Sequence, residues 1–183
     1  MYQYMNKQKE CKHCRELFTP YNSLHKYCFK EECRTIWIES EKAKQWKKKK
    51  AKIKQELMTV QDYVKIAQQV FNKYIRLRDK GNKCISCGKD IKENEVVHAS
   101  HYKPAGTCWA TRFNEDNVHV SCVKCNNFLS GNISEYRIRL VNKIGIERVE
   151  KVERLSVTTK KFTIEELKLI IKKYKELIKE LNN

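Results

Sequence analysis

Residues 84–127 read CISCGKDIKENEVVHASHYKPAGTCWATRFNEDNVHVSCVKCNN, and this stretch decides how the chain is interpreted. Two Cys-x-x-Cys pairs, Cys84/Cys87 and Cys122/Cys125, enclose His98, His101, Asn117 and His119, with 34 residues between Cys87 and Cys122. Four thiolates on two knuckle turns close a tetrahedral zinc site and leave no coordination position open. Such a zinc shapes its surroundings and does no chemistry. Function must therefore come from the residues that the knuckles enclose, and from Asn126, which follows the last cysteine directly.

Within the enclosed segment, Val96, Val97 and His98 make 95–102 good strand material, and Val118-His119-Val120 alternates as a second strand running into Cys122. Residues 103–117 join the two, and a short helix is predicted to begin inside the second knuckle. The predicted order is strand, loop, strand, helix.

Upstream, residues 11–33 carry Cys11, Cys14, Cys28 and Cys33. A segment this short cannot build a core, so a second structural zinc is predicted to fold it, with His13 or His25 able to replace one thiolate. Residues 34–56 hold nine basic and three acidic side chains, including the run Lys47, Lys48, Lys49, Lys50. This reads as a helix whose lysines contact phosphates without sequence specificity. From Thr59, a plausible N-cap, Tyr63, Ala67, Val70, Tyr74 and Leu77 form one apolar stripe that stops near Gly81.

Downstream, a helix is predicted from Ile133 to Gly145, a short helical piece over 146–155, and a polar turn at 156–161. A final helix opens on a capping box, Thr163 with Glu166. Its seam of Ile164, Leu167, Ile171, Tyr174, Ile178 and Leu181 suits either a second copy or the chain's own core. The expected organisation is a four-Cys module over 1–33, a basic helical linker over 34–58, a central domain over 59–156 and a C-terminal amphipathic helix over 157–183.

The chain has 183 residues, a formal charge of +17, 33% charged and 40% apolar residues. That balance implies a modest core and a polyanionic partner, because lysines placed on phosphates release condensed counterions. Charge alone indicates nucleic acid and not catalysis. No apolar run reaches 18 residues and residues 1–11 lack a signal-peptide core, so a cytoplasmic protein with no membrane contact is expected. In a reducing compartment nine cysteines favour zinc over disulfides. Two sets of four leave Cys108 over.

At NVHVSCVKCN (117–126) and HYKP (101–104) the chain resembles the HNH nucleases. That resemblance implies a zinc-stapled ββα-metal core in a mostly helical α+β protein. It implies His101 as general base, Asn117 as the residue holding the loop behind it, and Asn126 as ligand of a catalytic Mg²⁺ or Mn²⁺. Many such enzymes place an Asp immediately before the base, where this chain has Ser100. His98 or His119 could supply the missing ligand. An odd step of three puts His98 on the strand face opposite His101 unless the strand bends. Lys103 and Arg112, in the connecting loop, are candidates for stabilising phosphate charge or for contacting DNA backbone.

A closer resemblance covers roughly 68–145. AQQVFNKYIRLRDKGNKCISCG, ASHY, RFNEDNVHVSC, KCN and LSGN are similar, in this order, to the phage NinG family, the Rap recombination proteins of lambda-type phages. It also resembles recombination endonuclease VII, another zinc-stapled HNH enzyme. The resemblance implies a metal-dependent endonuclease that cleaves branched DNA such as Holliday junctions and D-loops. Resolution of a junction cuts two opposed strands, so a homodimer is expected. The alternative from another class is a non-catalytic two-zinc-module nucleic-acid-binding protein, and no residue distinguishes DNA from RNA.

Overall fold

The structure is a computed structural model and describes residues 7–182. The first six residues of the predicted four-Cys module and Asn183 lie outside the described residues. The chain forms two compact units, Met1–Met58 and Thr59–Asn183.

In the first unit, a two-residue antiparallel pair, β1 (Lys9–Glu10) and β2 (Leu17–Phe18), carries the first knuckle. Cys11, Cys28 and Cys33 are buried with Phe18. Cys33 lies in the first turn of α1 (Glu31–Glu56), so the cluster anchors the start of a 26-residue helix. Cys33 is the buried residue of α1; the helix is otherwise polar and lysine-rich, and Lys47 to Lys50 are all exposed. A helix with no apolar stripe is stabilised by good helix formers and not by packing.

The second unit opens with α2 (Val60–Arg78), whose start is fixed by a capping box between Thr59 and Asp62. Tyr63, Ala67 and Tyr74 of the predicted stripe are buried along with Val64, Phe71 and Ile75, and Val70 and Leu77 are half-buried against them. Against it packs α5 (Ile164–Glu180), which opens on the predicted Thr163/Glu166 capping box. Tyr174 and Ile178 of α5 meet Phe71, Tyr74 and Ile75 of α2 in one apolar cluster. The Phe71 and Tyr174 rings sit edge-on, 4.8 Å apart. Leu167, Tyr174 and Ile178 of the C-terminal seam are thus buried on their own chain, Ile164 and Ile171 are half-buried and Leu181 is exposed, and α5 is integral to this unit.

Also against α2 packs a two-stranded antiparallel sheet, β3 (Val97–His101) and β4 (Val118–Cys122). The register pairs Val97 with Cys122, Ser100 with His119 and His101 with Val118. One π-turn (Lys124–Phe128) follows β4, and then come α3 (Ile133–Ile144) and α4 (Ile146–Ser156). A second apolar cluster of Ile85, Tyr102, Tyr136, Leu140, Val149 and Val152 ties knuckle, strand end and both helices together. Gly145, at φ +84°, makes the turn between α3 and α4 in a conformation that costs a side-chain-bearing residue more. Among the described residues no helix is long and apolar enough to cross a membrane.

Candidate functional site

Two four-cysteine clusters are the most sharply defined sites. In each, the sulfur atoms lie within 4.8 Å of one another: Cys11, Cys14, Cys28 and Cys33 in the first, Cys84, Cys87, Cys122 and Cys125 in the second. Sulfurs on a tetrahedral zinc with bonds of about 2.3 Å stand roughly 3.8 Å apart. Cys14 and Cys28 are separated by 3.6 Å, and Cys87 and Cys122 by 4.0 Å, so both clusters fit zinc.

The two knuckles share a backbone device. Arg15 N–H donates to the Cys11 carbonyl at 3.0 Å and Gly88 N–H to the Cys84 carbonyl at 2.8 Å, and both residues have positive φ. Backbone N–H groups also reach sulfur, from Cys28 to Cys11 Sγ at 3.2 Å and from Cys122 to Cys84 Sγ at 3.3 Å. Burial pushes the Cys11 and Cys84 thiols up, but these backbone donors outweigh it and hold them at about 6 and about 7. The thiolate is therefore favoured at one cysteine of each cluster, whereas burial and the neighbouring thiols push Cys33 and Cys125 up. His13 and His25 are not part of the first cluster; His25 packs among Phe18, Tyr21 and Phe29 instead.

The second knuckle pair fixes the sheet. Ile85 N–H donates to the Val120 carbonyl at 3.0 Å, joining the first knuckle to β4. On the other side, β3 ends at His101. Its Nε2 lies 3.0 Å from the Arg112 carbonyl oxygen. A carbonyl only accepts, so Nε2 carries the proton and Nδ1 is the basic nitrogen. Burial lowers the His101 pKa below the usual imidazole value, and the Arg112 carbonyl opposes it only in part.

Asn117 holds the loop that supplies this carbonyl. It is fully buried; its Oδ1 accepts from Lys103 N–H at 2.7 Å, and its Nδ2 donates to the carbonyls of Lys103 and Thr111 at 3.0 and 3.1 Å. One amide thus pins both ends of the 103–111 loop. Arg112, which the sequence offered as a cation facing phosphate, braces the same loop. Its Nε donates to Gln68 Oε1 at 3.0 Å, its Nη1 to the Ala105 carbonyl at 2.9 Å, and its guanidinium lies over the Trp109 ring. The Lys103 ammonium sits 4.7 Å from the Tyr102 ring centre.

Asn126 meets His98. Its Nδ2 is 2.9 Å from His98 Nδ1, and both residues are half-buried. β3 runs in unbroken register, so His98 and His101 leave it on opposite faces, as the odd step of three requires. His119 is placed elsewhere. It is buried, with Nδ1 at 3.0 Å from Arg78 Nη2 and 3.4 Å from Asp79 Oδ2. This commits it to a buried ionic cluster and removes it as the ligand partner of Asn126.

That cluster was not foreseen. Asp79 accepts two bonds from Arg78, at 2.8 and 2.9 Å, and one from Val120 N–H at 3.1 Å; Lys143 approaches to 3.7 Å. Burial alone would raise the Asp79 pKa, yet His119 and Arg78 hold it far below the carboxylate range. Arg78 also donates to the Val118 carbonyl at 2.8 Å. The end of α2 is thereby bonded to the free edge of β4. The sequence marks Arg78 and Asp79 only as two charged residues before a glycine.

Comparison with known proteins agrees with this whole-chain picture. The family model described as "Bacteriophage Lambda NinG protein" matches residues 4–183. The chain is similar to "Protein ninG" of Escherichia phage lambda, 35% identical over 195 residues that cover 96% of this chain and 94% of that one. It is similar to "Protein ninG" of Escherichia phage 933W, at 34% over 193 residues with the same coverage, and to that of Salmonella phage P22, at 33% over 195 residues with 96% and 95% covered. No solved structure matches the chain. A match along nearly the whole length, both four-cysteine clusters included, means that the chain belongs to the NinG family.

Proposed function

We propose that this protein is a metal-dependent endodeoxyribonuclease of the HNH type that hydrolyses phosphodiester bonds in branched DNA. The observation that carries the reading is His101: a neutral imidazole at the end of β3, its tautomer fixed through Nε2 by the Arg112 carbonyl. Asn117 occupies the loop-holding place that the motif asks for. The +17 charge supports a phosphate-rich substrate.

In this mechanism His101 Nδ1 takes a proton from the water whose oxygen attacks phosphorus. The 3′ oxygen leaves, giving 5′-phosphate and 3′-hydroxyl ends. Asn117 and Arg112 keep the ring from turning. His98 and Asn126 would hold a weakly bound divalent ion after half a turn of the Asn126 amide, which sets Oδ1 in place of Nδ2 beside His98 Nδ1 and releases the Nδ2 bond to Asn127 Oδ1. These two side chains would hold Mg²⁺ or Mn²⁺, which when bound would polarise the phosphate and offset charge at the leaving oxygen. With no carboxylate in the pair, water and phosphate oxygens complete the shell. Among the described residues β3 pairs only with β4, so a phosphate along its other edge would be reached by side chains from both faces.

Branched DNA enters the proposal through the family resemblance, and so does the homodimer expected for cutting two opposed strands. Because the α5 seam is used within the chain, a dimer must form through another surface. The test is cleavage of a four-way junction by wild-type protein. Cutting is expected with Mn²⁺ or Mg²⁺, to stop on brief chelation, and to return when that ion alone is restored. Binding without cutting under any divalent ion would leave a two-zinc nucleic-acid-binding protein instead.

A further inference from the structure

The N-terminal module carries more aromatic surface than its fold uses. Zinc on four thiolates closes such a module without a large core, and the apolar side chain buried beside the sulfurs is Phe18. Around it stand Tyr21, His25 and Phe29 at the surface. Tyr21 is 80% exposed and Phe29 49%. Their rings form a connected array: Tyr21 lies parallel to His25 at 5.7 Å with an interplanar angle of 3°, and Phe29 meets both edge-on at 5.1 Å. The array is held in place by the fold, because Phe18, 8% exposed, packs edge-on against both His25 and Phe29.

The surrounding charge is positive. Over residues 7–30 there are six Lys or Arg (Lys7, Lys9, Lys12, Arg15, Lys26, Lys30) and two acids. Both acids are engaged, Glu10 with Arg15 and Glu16 with Lys30. What remains to face solvent is cationic. Exposed rings on a module of net positive charge fit a ligand that is flat and apolar at its bases and anionic along its backbone. That is a single strand of nucleic acid, in which bases unpaired from a complement stack on aromatic faces while phosphates meet ammonium groups. A base inside a duplex offers no free face, so duplex DNA would use the lysines alone.

We infer that Tyr21 and Phe29 form a stacking platform for unpaired bases, which gives the zinc module a binding role of its own: to recognise the single-stranded character of a nucleic acid. The platform needs no catalysis, so it stands or falls independently of the nuclease reading.

The test uses the full chain without added divalent ion, so that no cutting occurs, and compares a fluorescent oligothymidine with a hairpin duplex of equal phosphate count. Tyr21→Ala and Phe29→Ala should each weaken oligothymidine binding by about fivefold or more, given roughly 1–3 kcal/mol per stacked base. Duplex affinity should stay within about twofold. Tyr21→Trp should restore binding, and a 2-aminopurine placed in the oligonucleotide should be quenched by wild type and not by the Tyr21→Ala, Phe29→Ala double variant. Zinc content of two per chain in each variant shows that the module is folded; should Phe29→Ala lose zinc, Tyr21→Ala with its tryptophan rescue carries the test. Unchanged oligothymidine binding in zinc-loaded variants would overturn the proposal, as would equal losses on both probes. Loss of self-association in sedimentation, with oligothymidine binding intact, would reassign the patch to a second copy.

Discussion

His101 Nε2 lies 3.0 Å from the Arg112 carbonyl oxygen, and the Arg112 guanidinium is bonded 3.0 Å from Gln68 on α2. One residue thus links the helix scaffold to the imidazole by its side chain and fixes the tautomer by its main chain. The catalytic reading depends on that orientation.

The first consequence is a pH profile. Burial holds His101 below the usual imidazole pKa of about 6.5, so the basic, neutral form persists to lower pH. Cleavage under metal saturation should be on its plateau at pH 7 and fall on an acid limb centred below about 6.5. Rates measured over pH 5–8 check this; a limb centred above 7 would mean that His101 is not the titrating base.

The buried cluster at the end of α2 should dominate stability. Asp79 is 3% exposed and compensates Arg78 while satisfying Val120 N–H. Replacing it by Ala leaves a buried cation and an unpaired backbone donor, which costs about 3–5 kcal/mol. Chemical denaturation should show a midpoint shift of that size for Asp79→Ala. The change lies away from His98 and Asn126, so affinity for Mn²⁺ should be little altered in the protein that remains folded.

The helix pair α2 and α5 gives an independent stability prediction. Tyr174 packs edge-on against Phe71 and donates to Glu115 Oε1 at 3.1 Å. Tyr174→Ala should cost about 3–5 kcal/mol through the cavity, and Tyr174→Phe about 1 kcal/mol through the lost hydrogen bond. Urea melts of both variants measure the difference.

Much of this architecture was legible beforehand because its signals are local. The N-cap at Thr59, the capping box at Thr163 and the apolar stripe of α2 depend on neighbours a few residues away. Cysteine spacing alone paired the two clusters. The site was less legible, since which histidine meets Asn126 depends on strand faces and on the turn after β4. His98 was the weaker ligand candidate from the sequence, yet it is the one beside Asn126, while His119 is drawn into the Asp79 cluster. Arg112 looked like a free cation because its acceptors, Gln68 Oε1 and a main-chain carbonyl, carry no charge to announce them.

The composition of the proposed ion site would set a metal preference. An imidazole and an amide without a carboxylate suit Mn²⁺ better than Mg²⁺, which prefers hard oxygen donors. At equal millimolar concentration Mn²⁺ should support faster cutting. His98→Ala should narrow that preference and raise the metal concentration required, whereas His101→Ala should not shift the metal titration. A His98 variant with wild-type metal dependence would remove His98 from the site.

The most direct measurement is junction cleavage by His101→Ala alongside its junction affinity. The account predicts wild-type binding, two zincs per chain and a fall in cleavage rate of at least about 100-fold, the lower range of general-base catalysis. Undiminished cutting by a folded, zinc-loaded His101→Ala protein would contradict it.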